Sequence, residues 1–339
     1  QTGDAQVGRA MMRKWFRILG LFCCALLVTT ACTASRLERP PLRFAYSLWP
    51  GYFPAAIAQE KGFFQQQGVE VRLFYGDPKS SQLSDFVARK YDGMLLALGN
   101  LVGVLESNSK LRVVAEVAQS NGADAIVAQP EVQQIADLKG KRVGVRLGGF
   151  GELFVEQMLI KNGLTVDSVQ LNNVIAQTVP TFLRDRQIQA GHTWEPFVSS
   201  LQRDGYRILF TSAATPGLIP DVIAFQNSVL QDRAEDVRAF LRAWFQAVEF
   251  WQAHPAEGNA IVARVLQLKP EEVSLEGLRL LNQSESKAAF NPGNSTNSLY
   301  HTTQLYIDFA IRVGNLTRPP DLSQLLDRSF LPYWSVKTV

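Results

Sequence analysis

Four stretches of this chain carry side chains able to hold or transform a small molecule. "HTWEPF" (192–197) sets His192, Trp194 and Glu195 beside a proline. "SLWPGY" (47–52) offers Ser47, Trp49 and Tyr52. "RLGGFGE" (146–152) joins Arg146 to Gly148, Gly149 and Phe150, and "PDV" (220–222) presents Asp221. His192 and Glu195 are three apart, a spacing that shares a face on a helix but splits across a strand. The other two histidines, His254 and His301, are far away in the chain, so no metal site is expected. No ordered Ser/His/Asp set is in view either. Catalysis and cofactors are therefore not expected, and the chemistry left is recognition.

Two kinds of recognition fit these residues. Trp49, Tyr52, Phe150 and Trp194 offer flat faces to a ring or hydrocarbon, with Glu195 and Asp221 as acceptors for an amine. The glycine-rich loop 146–152 runs into a helix, so its N–H groups and the helix dipole would favour an oxyanion, and Arg146 would add to this. The loop matches neither the phosphate-binding P-loop nor the dinucleotide fingerprint. Ser80, Ser81 and Asn100 lie in loops after strands and could donate hydrogen bonds, although plain turns explain each equally well, and Ser120 and Asn121 are candidate pocket donors at the end of a further strand. Trp49 and Tyr52 could instead cap a core, Phe150 could simply pack, Asp124 fits a hinge-fixing role, and Glu195 and Asp221 each fit either a ligand acceptor or a latch across a cleft.

The elements that would position these groups follow from periodicity. Strands are predicted at 42–48, 69–75, 91–98, 111–117, 123–129, 141–147, 169–174 and 189–194, with helices between most of them. Alternation of this kind predicts a mainly parallel α/β sheet, here in two series. Val237, Phe240, Leu241, Trp244, Phe245, Val248 and Trp251 keep helical spacing over 234–252, a stripe that reads as packing. A polar loop at 291–298 and a helical tail close the chain.

Composition narrows the class. A 46% hydrophobic and 19% charged chain of 339 residues is an ordinary globular protein large enough for two lobes. The net charge of +3 sits in residues 1–31, and from Cys32 onward thirty basic residues balance thirty acidic ones. A nucleic-acid partner is therefore not expected. Met11 and Met12 are plausible starts for a leader over 11–31, with a basic segment (Arg13, Lys14, Arg17) and the apolar run "ILGLFCCALLV" (18–28). "TTAC" (29–32) resembles a bacterial lipoprotein box with Cys32 as the lipidated residue, whereas an ordinary signal peptide or a single membrane anchor is the alternative. All three cysteines fall in this region, so the body has no disulfide and no cysteine nucleophile. Residues 32–41 read as a tether.

The body resembles the periplasmic solute-binding proteins of ABC importers, in the group that binds nitrate, sulfonates, taurine and thiamine pyrimidine precursors. The resemblance rests on "LWPGYFPAAIAQEKGFFQQQGVEV" (48–71), "YDGMLLAL" (91–98), "NGADAIVAQ" (121–129), "IADLKGKRVGV" (135–145), "TWEPF" (193–197) and "PGLIPDVIAF" (216–225). It implies a type II periplasmic-binding fold, with two α/β lobes around a central cleft and crossover strands at 123–129 and 221–227. Lobe 1 would hold 42–125 and 224–335, and lobe 2 would hold 126–223. The implied function is capture of a small solute by lobe closure, as a monomer held at the outer face of the cytoplasmic membrane or in the periplasm through lipidated Cys32. Delivery would be to an ABC permease and ATPase complex. The expected ligand is an organic solute with an anionic group, of the sulfonate, nitrate or taurine type, and the alternative is a thiamine pyrimidine precursor or other amine-bearing heteroaromatic. Gln189 stands where the family has aspartate, and Arg146 is an unexpected cation. A pyrimidine-synthesising enzyme shares the fold, but its cysteine-rich motif has no counterpart here.

Overall fold

The computed structural model describes residues 39–76, 81–269 and 273–331. The leader, Cys32, Ser80 and residues 332–335 lie outside the described residues. The described residues from Leu42 onward form one compact unit.

That unit contains two sheets. The first is ordered β11-β4-β10-β3-β1-β2, from β1 (Leu42–Tyr46), β2 (Val71–Tyr75), β3 (Gly93–Ala97), β4 (Leu111–Ser120), β10 (Pro220–Gln226) and β11 (Leu278–Leu280). The second is ordered β7-β6-β8-β5-β9, from β5 (Asp124–Ala128), β6 (Arg142–Val145), β7 (Gln170–Asn173), β8 (Ala190–Trp194) and β9 (Arg207–Thr211). The helices that matter to the site are α1 (Pro54–Glu60), α2 (Leu98–Val102), α3 (Phe150–Lys161), α4 (Phe197–Arg203), α5 (Ala234–Ala253) and α6 (Leu299–Arg312).

In the first lobe β1 pairs in parallel with β2 and β3, whereas β10 runs antiparallel to both β3 and β4. The antiparallel run follows from topology, because β10 returns from the other lobe. The carboxyl ends of β1 and β3 and the start of β10 therefore meet at one edge, where loops of an open α/β sheet gather a ligand. In the second lobe β5 and β8 are antiparallel, and the start of β5 lies opposite the end of β8.

The apolar stripe of α5 is fully buried, as its spacing predicts. Phe240 stacks on Phe64 at 5.2 Å and also packs on Phe44 and Phe225, so α5 closes over β1 and β10. Each such side chain contributes roughly 1.5–3 kcal/mol by leaving water.

The chain crosses between sheets at 121–123 and returns at 212–219. The expected crossover strands belong instead each to a single sheet, β5 to the second and β10 to the first. Both links sit upstream of the lobe boundaries read from the sequence. They are bound to each other: Ser120 and Ser212 share a hydroxyl hydrogen bond of 2.8 Å, and Gly122 N–H donates to Ser212 Oγ. Asn121 and Ala123 N–H both donate to the carbonyl of Gly277, just before β11. A Cβ on Gly277, whose φ is +71°, would lie 2.5 Å from the Ala123 nitrogen, so only glycine brings this brace so close.

Candidate functional site

A cavity of about 160 Å³ lies between the lobes. That is the size of a space that holds one benzene-like ring. Ser47, Leu48, Trp49, Tyr52, Asn100 and Asp221 line it from the first lobe, and Asp124, Phe150, Gln177, Trp194 and Phe197 from the second. Neither lysine nor arginine is among the described lining residues.

Asp221 anchors the first wall. It is buried at the start of β10, opposite Ala97 of β3 and Ala118 of β4. The Trp49 indole N–H donates to its Oδ2 and the Tyr52 hydroxyl to its Oδ1, both at 2.7 Å. The chain brings both rings inward because Pro50 opens a short 3-10 turn, Pro50–Tyr52, directly after β1. Gly51 leaves room for the indole, since a Cβ there would sit 2.9 Å from Trp49 Nε1. Burial pushes the Asp221 carboxyl up to about 7; the Tyr52 and Trp49 hydrogen bonds oppose the rise, and the Asp124 charge adds to it. Burial, with the Asp221 charge beside it, holds the Tyr52 hydroxyl well above the usual tyrosine range. Deeper in the same lobe lies Glu116, whose carboxyl burial lifts to about 8 although Gln119 Nε2 donates to it at 2.6 Å.

Asp124 and His192 form the base of the second wall. His192 Nε2 lies 2.9 Å from Asp124 Oδ1, and both side chains are buried. Strand register explains the pair. Asp124 sits opposite Trp194 and Ile126 opposite His192, so Asp124, His192 and Trp194 share one face of the β5–β8 ladder. Phe150 stacks on Trp194 at 6.2 Å and meets His192 edge-on at 5.4 Å, and Trp49 reaches across to Trp194 edge-on at 6.5 Å. Gly99 in α2 lets the lobes approach, because a Cβ there would meet the Tyr306 ring at 2.5 Å and Phe150 Cβ at 2.8 Å.

The structure brings Ser47, Trp49, Tyr52, Asn100, Phe150, Trp194 and Asp221 together around the cavity. The other candidates lie elsewhere. Ser81 caps the short helix Gln82–Val87, Ser120 ends β4 and is bonded to Ser212, and Asn121 belongs to the first crossing. Arg146 is exposed and outside the lining. Gly149 is the N-cap of α3, and Gly148 N–H donates at 2.6 Å to Glu152 Oε2, so a carboxylate of the same helix already occupies the loop's anion position. Glu195 accepts from the Ser199 N–H at 3.1 Å and its hydroxyl at 2.9 Å, which ties it to the first turn of α4 rather than to the cavity. Phe197, Gln177 and Leu48 line the cavity without having been singled out; the Trp194-to-Phe197 spacing into a helix was the available signal for the first.

A model of the NMT1/THI5-like family matches residues 49–258, well over half of the chain. The chain belongs to the NMT1/THI5-like family. Among relatives of this NMT1/THI5-like chain, a putative binding protein of Brucella abortus is 25% identical over 308 residues, 88% of this chain and 93% of its own. A putative thiamine biosynthesis protein of Haemophilus influenzae is 26% identical, over 75% of this chain and 80% of its own. The solved alkanesulfonate-binding protein SsuA of Xanthomonas axonopodis pv. citri, bound to MOPS, superposes with a TM-score of 0.70 at 16% identity, over 86% of this chain and 99% of that one. The fold is the periplasmic-binding-protein fold, two α/β lobes as expected from the sequence.

Proposed function

We propose that this NMT1/THI5-like protein is the solute receptor of an ABC importer, and that its ligand is a compact, single-ring solute bearing an amine. The observation that carries the ligand class is the cavity lining: aromatic walls around two buried carboxylates, Asp124 and Asp221, with no basic side chain among the described lining residues. Aromatic faces attract a flat or cationic group, and a buried carboxylate rewards a hydrogen-bond donor that brings positive charge. Arg146 is exposed and Glu152 accepts from the Gly148 amide, so the oxyanion reading rests less on this loop than on the likeness to the alkanesulfonate-binding SsuA, and it stands as the second reading. The proposal includes anchoring through Cys32 at the outer face of the membrane, a monomeric receptor, and delivery to a permease and ATPase complex. The binding-protein names of relatives and the cleft between lobes support that role.

A ligand panel tests the reading. A bound solute raises the melting temperature by mass action. Aminopyrimidines and other single-ring amines are expected to raise it, and sulfonates and nitrate to leave it unchanged. A shift with sulfonates alone would sink the amine assignment, and turnover of any ligand to product would sink the receptor role.

A further inference from the structure

The helical tail does more than close the fold. Helix α6 lies beyond the family match, which ends at residue 258. Its fourteen residues span about 21 Å. Near one end, Thr302 Oγ1 donates to the Gly217 carbonyl at 3.4 Å and Tyr306 Oη to the Leu218 carbonyl at 2.8 Å. Both carbonyls belong to the 212–219 link, the return crossing between lobes. At the other end, Arg312 pairs with Glu156 of α3 at 2.7 Å, and Glu156 is only 13% exposed. Three residues on, Asn315 Nδ2 donates to the Gly148 carbonyl at 2.8 Å. Gly148 has φ +75°, and a Cβ there would lie 2.6 Å from Asn315 Nδ2, so this contact requires glycine. Phe150, a wall of the cavity, follows two residues later.

Helix α6 and the turn that follows it thus touch the hinge link, α3 and the loop that carries a cavity wall. We propose that α6 with this turn is a closure latch, in which Arg312 holds α3 and Asn315 the Gly148–Phe150 loop that leads into it, keeping the second lobe against the first until both bonds break. Opening the lobes then withdraws Phe150 from the cavity, and the latch sets how long a captured solute stays. The latch goes beyond the receptor reading and does not depend on the ligand class.

Hydrogen exchange on the full chain without ligand tests it. In the double variant Arg312→Ala/Asn315→Ala, peptides covering 146–153 and 98–104 are expected to exchange about fivefold faster or more, from the loss of one hydrogen bond and one partly buried ion pair. Peptides from the strand cores, 111–118 and 190–194, should not change. Exchanging the charges, Arg312→Glu with Glu156→Arg, should restore slower exchange relative to Arg312→Glu alone. Unchanged exchange at the rim overturns the latch. Equal acceleration in the strand cores also overturns it, since that would mean general loosening of the fold, and so does a swapped pair that protects no better than the single reversal.

Discussion

Replacing Asp221 with asparagine should remove a pH dependence of stability that the buried carboxyl imposes. In the folded protein this carboxyl titrates at about 7, against 3.8 for the free side chain. Between those values the folded state keeps a proton that the unfolded chain has lost. Stability from this group is therefore fully present below about pH 4, falls as pH rises, and levels off above 7. At about 1.4 kcal/mol per pH unit, the loss across that window is about 4 kcal/mol. Asparagine preserves the geometry: Oδ1 can accept from the Trp49 indole, and Nδ2 can face the Tyr52 hydroxyl, which accepts as well as donates. The variant should lose some stability at pH 4–5, where a neutral carboxyl is already tolerated, and overtake the wild type near pH 8. Urea unfolding of both proteins at each pH unit from 4 to 8 measures the difference directly. Glu116 titrates in both and is itself raised a little by the Asp221 charge, so the difference reports Asp221 together with that coupling. Parallel curves across this range would refute the reasoning, because they would mean that Asp221 ionises as freely in the fold as in water.

Other expectations follow from the same geometry. Binding of an amine whose charge is constant should strengthen as pH rises toward 7, by up to about tenfold per unit, as Asp221 gives up its proton; calorimetric titration at three pH values checks this, and weakening with pH would point to an anion. Gly51→Ala should force the Trp49 indole off Asp221, lowering stability by roughly 1–3 kcal/mol in a thermal melt and weakening ligand binding. Glu195→Gln should leave ligand affinity within about twofold and shift stability by less than roughly 1 kcal/mol, because its partner is Ser199; a large affinity loss in the same titration would return Glu195 to the site.

Much of this arrangement was legible in the residues. The alternating strands and the α5 stripe are direct consequences of periodicity, and Trp49, Tyr52, Phe150, Trp194 and Asp221 stand at strand ends where an α/β protein gathers its ligand. What escaped the sequence depends on register and long-range return. The Asp124–His192 pair exists only because β5 and β8 run antiparallel in one particular alignment. The Gly148 loop has the composition of an anion site, yet Glu152 four residues on folds back to fill it. The first crossing was displaced because a link of three residues leaves no periodic trace between β4 and β5, which are buried on both faces. Strand β11 is three residues long and draws its support from pairing with β4.

In the proposed receptor the cavity between the lobes holds a single-ring amine against Asp124 and Asp221. Mass spectrometry of the small molecule released when protein purified from its own source is denatured tests this most directly. The expected release is a one-ring, amine-bearing compound that rebinds the emptied protein and binds Asp221→Asn at least tenfold more weakly. Release of a sulfonate or another anion that binds the wild type and Asp221→Asn equally well would contradict it.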